Sequence, residues 1–347
     1  MLTLFNEQVK QHHLKPRDGE IKLGQQVQLL PQDKSLDQSL LLAKQSGAKF
    51  ALIGIAEDVG PRANLGRGGA NIAFNAFLSQ WLNLQSNRFL NGNECVVIGE
   101  VSLNEVTSAS LTTDSASIGS LRKATEQLDA AVTPVINSIF AAGLEPIVIG
   151  GGHNNAYPIL MAAKQAFNQS ISAINLDPHC DFRPREGRHS GNGFSYAAAN
   201  GALNYYHVLG LHELKNSEAS LEQLSLFGGT WHTYQQIWLR REISLTQALE
   251  DACKQLNRTQ LPVGVEIDVD AITAMPSSAS TCAGVPLADA CHYLFYLGRH
   301  TPSAYCHLAE AAPCCHSAGE AAGYKHVGQS LSELVYAYIQ GRSQARV

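Results

Sequence analysis

Two aspartate-rich segments of this chain each directly follow a short apolar run. Residues 177–181 are Asp-Pro-His-Cys-Asp and follow the run 171–176, and residues 268–270 are Asp-Val-Asp and follow the run 263–267. Short apolar runs of this kind are typical of buried strands, so both segments are predicted to lie at the carboxyl ends of strands. Open α/β sheets place their binding sites at that edge. The pattern therefore predicts an α/β sheet with an acidic site along one edge.

A third strand end adds a histidine to this site. The run 146–149 is followed by Gly-Gly-Gly-His-Asn-Asn at 150–155, where the glycines allow a tight turn. The candidate metal ligands are the carboxylates and imidazoles at these three strand ends: His153, Asp177, His179, Asp181, Asp268 and Asp270. Such ligands favour Mn²⁺ over a structural zinc ion, which would prefer thiolates. Bridging carboxylates can hold two ions roughly 3.5–4 Å apart with a hydroxide between them, so we expect a hydrolytic two-metal site.

Strand-like and helix-like segments alternate along most of the chain. Amphipathic stretches separate several of the apolar runs, and the clearest of them covers residues 120–142 at helical spacing. Alternation of this kind predicts an α/β fold with three α/β/α layers around a mainly parallel, eight-stranded sheet. The eight predicted strands are 50–55, 95–99, 146–150, 171–176, 206–211, 226–231, 263–269 and 304–308.

The chain shows no internal repeat and no Pro-rich linker. We therefore expect one catalytic domain over residues 36–347. Residues 1–35 are polar and contain Pro16 and Pro31, which favours an irregular N-terminal arm.

Composition excludes several classes of protein. Of the 347 residues, 45% are apolar and 16% are charged, and the formal charge of −5 argues against a general nucleic-acid surface. No apolar run approaches the length of a membrane span, and charged residues interrupt the first sixteen positions, where a signal peptide would need an apolar stretch. A cytoplasmic protein is the expectation.

Eight cysteines at irregular spacing are expected to be reduced thiols. Five of them lie in the segment 282–316, interleaved with His292, His307 and His316, which raises the alternative of a structural zinc site. No Cys-x-x-Cys pair occurs there, which disfavours zinc, and the role of the segment stays open.

The motifs Gly-Gly-x-His, Asp-x-His-x-Asp and Asp-x-Asp occur in the order of the ureohydrolase family (arginase, agmatinase, formimidoylglutamase), which the chain resembles from about residue 52 to 313. The resemblance implies two Mn²⁺ ions per subunit. One would be held by His153, Asp177, Asp181 and Asp268, and the other by Asp177, His179, Asp268 and Asp270. It also implies that Glu310 pairs with the amidinium or guanidinium of a small-molecule substrate. Family members commonly form trimers or hexamers, so a homo-oligomer is expected.

The resemblance also implies three catalytic roles. A hydroxide between the metals would attack the amidine carbon, and Asp181 would pass a proton to the nitrogen leaving group. His189 matches a family histidine that could shuttle a further proton. Glu310 would hold the substrate cation.

Two loops bear on substrate choice. Residues 57–70 are similar to the corresponding loop of formimidoylglutamases, and residues 183–193 carry three arginines. Arginine forks bind carboxylates, so a dianionic amidine such as N-formimino-L-glutamate is favoured over cationic agmatine. The predicted substrate-binding residues in these loops are Arg62, Asn64, Arg67, Arg188 and Asn192. The alternative for the arginines is pairing with Glu57, Asp58 or Glu186.

The chain departs from the usual family pattern at Gly152, Ala271 and Ala312, which leaves the shape of the substrate pocket open. Other functions therefore stay in view. They are hydrolysis of arginine, agmatine or another guanidino compound, a non-catalytic protein of the same fold, and a single-zinc deacetylase of the related fold.

Overall fold

Ten strands form one sheet in the computed structural model, which describes residues 1–103 and 117–345. The strands are β1 (Leu2–Leu4), β2 (Gln28–Leu29), β3 (Phe50–Ala56), β4 (Cys95–Ser102), β5 (Glu145–Ile149), β6 (Ile171–Leu176), β7 (Leu203–Leu211), β8 (Thr230–Thr233), β9 (Val263–Asp268) and β10 (Ser303–Ala309). Their order is β1-β4-β3-β5-β10-β9-β6-β7-β8, and β2 also pairs with β4. β1 is antiparallel to β4, and the other pairings between described strands are parallel. The sheet is mainly parallel, as predicted.

The predicted count of eight strands is wrong because the N-terminal segment contributes two more. Residues 1–35, predicted to be irregular, contain β1 and β2, and both pair with β4. These strands have three and two residues, too few to form a recognisable apolar run. Their extended geometry comes from ladder hydrogen bonds to a strand that is distant in sequence, and local propensity carries no sign of that pairing.

One further strand is displaced. The run 226–231 was expected to be a strand, but a helix continues to Phe227 and ends at Gly228, which has a φ of +88°. The strand β8 begins only at Thr230. Glycine reaches this left-handed conformation without a Cβ clash, so it ends the helix in the middle of the predicted strand.

Eleven helices lie in the described parts of the chain. They are α1 (Glu7–His13), α2 (Leu36–Gln45), α3 (Val59–Ala63), α4 (Ala73–Trp81), α5 (Ile118–Ala141), α6 (Ala156–Phe167), α7 (Gly193–Ala199), α8 (Glu218–Phe227), α9 (Leu245–Arg258), α10 (Leu287–His300) and α11 (Glu320–Ser343). Shorter turns are the 3₁₀ segments Leu23–Gln25, Ala70–Ile72, His153–Asn155, Ser190–Asn192, Val269–Ala271 and Pro313–Cys315, and a π-helix at Gln235–Leu239. Serine caps begin several of the long helices. Ser117, for example, accepts a hydrogen bond from the backbone N–H of Ser120 at 3.2 Å and begins α5 two residues before the predicted start.

The helices cover both faces of the sheet. Ile147 and Ile149 of β5 belong to one buried apolar cluster and Val148 belongs to the other, as the two-residue period of a strand requires. Helices α4, α9, α10 and α11 pack in the first cluster, and α2, α5, α6, α7 and α8 pack in the second. This is the predicted three-layer α/β/α arrangement. The predicted single domain over 36–347 stays a prediction.

The centre of the sheet determines where functional side chains can meet. β5, β10, β9 and β6 are consecutive neighbours, and their registers pair Ile149 with Leu308, Asp268 with Ala309 and Ile267 with Leu176. Four parallel strands therefore end at the same level of one edge. Among the described helices, none is both long and apolar enough to cross a membrane.

Candidate metal centre

The six predicted ligands follow three of these four central strands. Asp177, His179 and Asp181 follow β6, while Asp268 ends β9 and Asp270 follows it. His153 follows β5 after a glycine turn in which Gly150 and Gly151 have φ values of +84° and +70°. Only glycine adopts such angles routinely, so the turn that carries the histidine to the sheet edge depends on both residues.

The glycine before His153 is a departure from the family pattern that the structure explains. A Cβ atom on Gly152 would lie 2.3 Å from Cδ of Pro61. Any side chain at residue 152 would therefore collide with the start of helix α3 unless the loop moved.

The ligand atoms converge in two overlapping groups. His153, Asp177, Asp181 and Asp268 each offer one ligand atom within 4.8 Å of the others, and so do Asp177, His179, Asp268 and Asp270. Asp177 and Asp268 belong to both groups. These are the two sets that the resemblance implied, and the shared carboxylates lie where bridging ligands would be required.

Buried polar atoms without hydrogen-bond partners, one of them on the imidazole of His153, show that a cation fits here. Nδ1 of His153 lies 3.1 Å from Oδ2 of Asp181, 3.4 Å from Oδ2 of Asp177 and 3.6 Å from Oδ2 of Asp268. Neither this nitrogen nor Oδ1 of Asp270 has a hydrogen-bond partner among the described residues, although both atoms are buried. Buried polar atoms are nearly always paired, so a divalent cation among them would supply the missing interaction. The oxygen and imidazole donors suit Mn²⁺.

The electrostatics of the cluster point the same way. Burial and the neighbouring charge of Asp177 raise the pKa of Asp181 to about 6. Burial and Asp268 raise the pKa of Asp270 well above its usual range. Burial also opposes ionisation of Asp177, but the neighbouring His153 and His179 outweigh it and lower the pKa to about 2. Raised pKa values mean that these carboxyls bind protons more readily when no cation is near, so metal binding should release protons.

Two residues of this edge have backbone angles that side chains rarely adopt. The φ of Asp181 is +47° and that of Glu310 is +69°. Glu310 follows β10, and its backbone N–H donates to the carbonyl of Gly151 at 2.8 Å. Its Oε1 accepts a hydrogen bond from the backbone N–H of His153 at 3.0 Å. Left-handed non-glycine residues cost about 1–3 kcal/mol each and cluster at functional sites.

A cavity of about 380 Å³ opens over the ligand cluster. Its wall includes Asp181, Asp268 and Asp270 from the cluster, together with Glu310 and Ser278. Ser278 Oγ donates to Oε2 of Glu310 at 3.3 Å. A small polar molecule that entered this cavity would contact both the metal ligands and a buried carboxylate.

The sequence model of the arginase family matches residues 48–323 of this chain. The chain belongs to the arginase family. The match confirms the resemblance drawn from the three motifs and covers all of the predicted site residues.

Several relatives of this chain are named formimidoylglutamase or formiminoglutamase. A formimidoylglutamase from Streptococcus pyogenes serotype M3 is 32% identical over 179 residues, which cover 49% of this chain and 49% of the relative. The chain thus spans about half the length of the curated relatives it matches. The crystal structure of a formimidoylglutamase from Bacillus subtilis aligns with a TM-score of 0.77 at 14% identity, over 96% of this chain and 95% of that one. A formiminoglutamase from Trypanosoma cruzi, solved with Mn²⁺, aligns with a TM-score of 0.72 at 19% identity, over 94% of this chain and 100% of that one. The structural likenesses show the arginase fold.

Only one of the five predicted substrate-binding residues lines the cavity of this arginase-family protein. Asn64 forms part of the wall, and its Nδ2 donates to Oγ of Ser190 at 3.3 Å. Arg67 is exposed on the loop 64–69. Nη1 of the Arg62 guanidinium lies 3.7 Å from Oδ1 of Asp58. Neither arginine is among the described residues of the cavity wall. Pairing of Arg62 with Asp58 is the alternative that the sequence left open.

Arg188 and Asn192 also lie outside the cavity wall. Both belong to the loop 183–192, and both side chains are buried. Arg188 Nε donates to Oδ2 of Asp129 at 2.8 Å, and its Nη1 donates to Oδ1 of Asn192 at 2.9 Å. Asn192 Nδ2 donates to the carbonyl of Gly187 at 2.8 Å. The structure therefore shows these two residues holding the loop together, and their expected contact with substrate stays a prediction.

His189 is fully buried and lies outside the described cavity wall. Its Nδ1 accepts a hydrogen bond from the backbone N–H of Gly191 at 3.2 Å, and its Nε2 lies 3.4 Å from Oε1 of Glu186. Burial and the nearby charge of Arg183 lower its pKa to about 4, so the ring is neutral at pH 7. Its predicted role as a proton shuttle stays a prediction.

Two cations that the sequence did not single out line the cavity. Arg183 lies two residues after Asp181, and its Nη1 donates to Oδ1 of Asn64 at 2.6 Å. Lys215 lies in the loop between β7 and α8, beside the carboxyl end of β6. Proximity to the metal motif could have indicated Arg183. The signal for Lys215 was weaker, since it required knowing that β7 is the neighbour of β6.

Within the part of the chain that the structure describes, no cysteine of the segment 282–316 belongs to a group of side chains that could hold an ion. Three groups of described side chains could hold an ion, and each consists of histidines and carboxylates. The structural-zinc alternative therefore has no support there.

Proposed function

We propose that the chain is a binuclear manganese hydrolase that cleaves the C–N bond of N-formimino-L-glutamate with water, giving L-glutamate and formamide. The observation that carries the proposal is the pair of overlapping ligand groups that share Asp177 and Asp268 beneath a cavity lined by Glu310. The relatives named formimidoylglutamase support the choice of substrate.

The metal ligands are divided between the two ions as the family resemblance implied. His153, Asp177, Asp181 and Asp268 would hold one Mn²⁺, and Asp177, His179, Asp268 and Asp270 the other. Two bound ions would lower the pKa of a water molecule from about 15.7 toward about 7 and so supply a nucleophile at neutral pH.

The side chains around the cluster would handle the substrate. Glu310 presents a buried carboxylate to the cavity, where it can pair with the positive amidinium group. Its orientation is fixed by the hydrogen bonds from the His153 backbone and from Ser278. Asp181 also lines the cavity and is the candidate to hold the proton that the leaving nitrogen takes up.

Substrate choice rests on the charge of the cavity mouth. N-formimino-L-glutamate carries two carboxylates that need cationic partners, and Arg183 and Lys215 provide two positive charges on the wall. Asn64 holds the Arg183 guanidinium in place through its Oδ1. The same charges would repel the cationic end of agmatine, which lacks a carboxylate to offset them.

A substrate panel tests the proposal. Mn²⁺-loaded enzyme is given formiminoglutamate, arginine, agmatine, guanidinobutyrate or guanidine at equal concentration, and product formation is measured. We expect kcat/KM to be highest for formiminoglutamate. A preference for a guanidine would leave the enzyme class standing and reject the substrate. No turnover of any of the five by fully loaded protein would favour the non-catalytic alternative.

We also propose that the protein is a cytoplasmic homo-oligomer without nucleic-acid or membrane partners. The oligomer is an expectation from the family resemblance, and light scattering after gel filtration would measure its mass. The location is tested by cell fractionation.

A further inference from the structure

Glu266 is a fully buried carboxylate directly beneath the metal ligands. It lies on β9 two residues before Asp268, and its side chain accepts three hydrogen bonds. His307 Nδ1 donates to Oε2 at 2.6 Å, and His153 Nε2 lies 3.3 Å from the same oxygen. Tyr305 Oη donates to Oε1 at 2.7 Å. Donors on both oxygens of a buried carboxylate hold it in one orientation.

The register of two neighbouring strands builds this arrangement. β9 and β10 pair Gly264 with Tyr305 and Glu266 with His307. A Cβ atom on Gly264 would lie 2.3 Å from Oη of Tyr305, so a glycine is needed there to admit the hydroxyl. These four residues therefore depend on one another. The glycine leaves room for the tyrosine hydroxyl, and the tyrosine and the histidine both bond to the glutamate.

The hydrogen bonds define which nitrogens carry protons. His307 Nε2 has no hydrogen-bond partner among the described residues, so the proton of this ring lies on Nδ1 and points to Glu266. The ring of His153 has Nε2 toward Glu266 and Nδ1 toward the oxygens of Asp177, Asp181 and Asp268. With the proton on Nε2, the lone pair of Nδ1 faces the carboxylate cluster, as a metal ligand requires.

We propose that Glu266 is a positioning residue that holds His153 in the tautomer and orientation needed to bind metal. It acts only through His153, and His307 and Tyr305 hold it in place. The inference rests on the proposed function to the extent that the cluster binds two divalent ions. It adds a residue outside the predicted ligand sets, which decides how tightly one of the two positions is occupied.

A third ion among Glu266, His153 and His307 is the competing interpretation, since these three side chains also lie close enough to share one. The distance of 2.6 Å between His307 Nδ1 and Glu266 Oε2 is that of a direct hydrogen bond. Two ligand atoms that each bind an ion at about 2.0–2.2 Å, in near-tetrahedral geometry, lie farther apart than this. The group is therefore a hydrogen-bonded support for the metal site.

Metal binding to Glu266→Gln tests the inference without using activity. The substitution keeps the shape of the side chain and removes its charge. Equilibrium dialysis against graded free Mn²⁺, followed by elemental analysis, gives the affinity and number of ions. We expect one of the two ions to bind roughly 10–100-fold more weakly, the usual effect of removing a ligand's supporting partner.

Two controls separate positioning from a general effect on the fold. Tyr338→Phe removes a comparable hydrogen bond from a buried tyrosine, to Glu145 at the start of β5 and away from the metal edge, and it should lower the melting temperature while leaving metal affinity unchanged. In a His153→Asn background, Glu266→Gln should cause no further loss of affinity, because residues that act through one another are not additive. Additive losses would mean that Glu266 supports the fold and not the histidine.

The outcomes distinguish the two proposals. If wild-type protein binds two ions and Glu266→Gln binds both with unchanged affinity, the inference is overturned and the proposed function stands. If the wild type does not bind two ions, the proposed function fails. A third ion in the wild type would replace the inference with the competing interpretation. Should Glu266→Gln not fold, Glu266→Asp keeps the charge but withdraws it from His153, and unchanged affinity in that variant overturns the inference.

Discussion

The Arg188→Ala variant should be less stable to thermal unfolding than the wild type. Its effect should not be limited to weaker substrate binding. The guanidinium donates to both carboxylate oxygens of Asp129, at 2.8 and 3.3 Å, and to the carbonyl of Asn154 at 2.7 Å. It also lies between the rings of Tyr157 and Tyr196, 4.7 and 4.9 Å from their centroids. With 2% of its surface exposed, Arg188 has no solvent to replace these partners.

The expected loss of stability follows from Asp129, whose carboxylate stays buried when Arg188 is removed. Removing one member of a buried ion pair typically costs about 3–5 kcal/mol, because the other charge stays buried and uncompensated. With an unfolding entropy of about 2.1 cal/mol/K per residue, a chain of 347 residues would lose about 4–7 °C in Tm.

The loss should depend on pH through Asp129. Burial raises its pKa to about 6, although Arg188 counteracts this, and without Arg188 the pKa would rise further. A folded-state pKa above the unfolded value of about 3.9 means that stability is lost as pH rises from that value to the folded pKa. The difference between Arg188→Ala and wild type should therefore be small at pH 5 and larger at pH 8.

Thermal unfolding of both proteins at pH 5 and pH 8 measures this difference. Arg67→Ala is the matched control, since Arg67 is exposed and its loss should change stability by less than about 0.5 kcal/mol. An unchanged Tm for Arg188→Ala, together with a large rise in KM, would refute the reasoning and return Arg188 to the substrate site.

Three further predictions concern the site itself. Asp268→Ala should release both ions, because this carboxylate belongs to both ligand groups, and elemental analysis that still finds two metals would contradict the bridging role. Arg183→Ala and Lys215→Ala should raise KM for formiminoglutamate and keep the metal content, with at most about 1.5–3 kcal/mol per charge-assisted contact and less for Arg183, whose side chain is 49% exposed. An unaltered KM in steady-state assays of both variants would exclude them as carboxylate partners. His189→Asn should keep both metals and slow turnover by about 10²–10⁴-fold if the ring shuttles a proton. An unchanged kcat and pH profile would leave His189 with a structural role in its loop, where its ring accepts the hydrogen bond from Gly191.

The positions of the metal-ligand candidates could be predicted because they depend on strand ends. His153, Asp177 and Asp268 lie at or just after the ends of β5, β6 and β9, and parallel strands that are neighbours bring such positions together. The sequence contains the strand ends directly, as apolar runs followed by glycine or aspartate. Any parallel order that placed these strands near one another would have brought the three side chains to the same edge.

The substrate loops were harder because the direction of a loop side chain is not contained in its sequence neighbours. Arg183 and Arg188 lie five positions apart in one loop, yet one reaches the cavity and the other is buried against α5. The difference arises from Asp129, on a helix more than fifty residues earlier in the chain. A buried acid with a specific arginine partner is not visible until the helix and loop are packed together.

The support under His153 illustrates a second limit of motif analysis. Gly264, Tyr305, Glu266 and His307 acquire meaning only through the register that pairs β9 with β10. A single-sequence analysis sees them as ordinary members of two apolar strands. A variant that lost Glu266 would still carry every residue of the three motifs, and motif analysis would assign it an intact metal site. If Glu266 positions His153 as proposed, that assignment would be wrong for one of the two ions, so the ligand motifs are necessary for the site without being sufficient for its affinity.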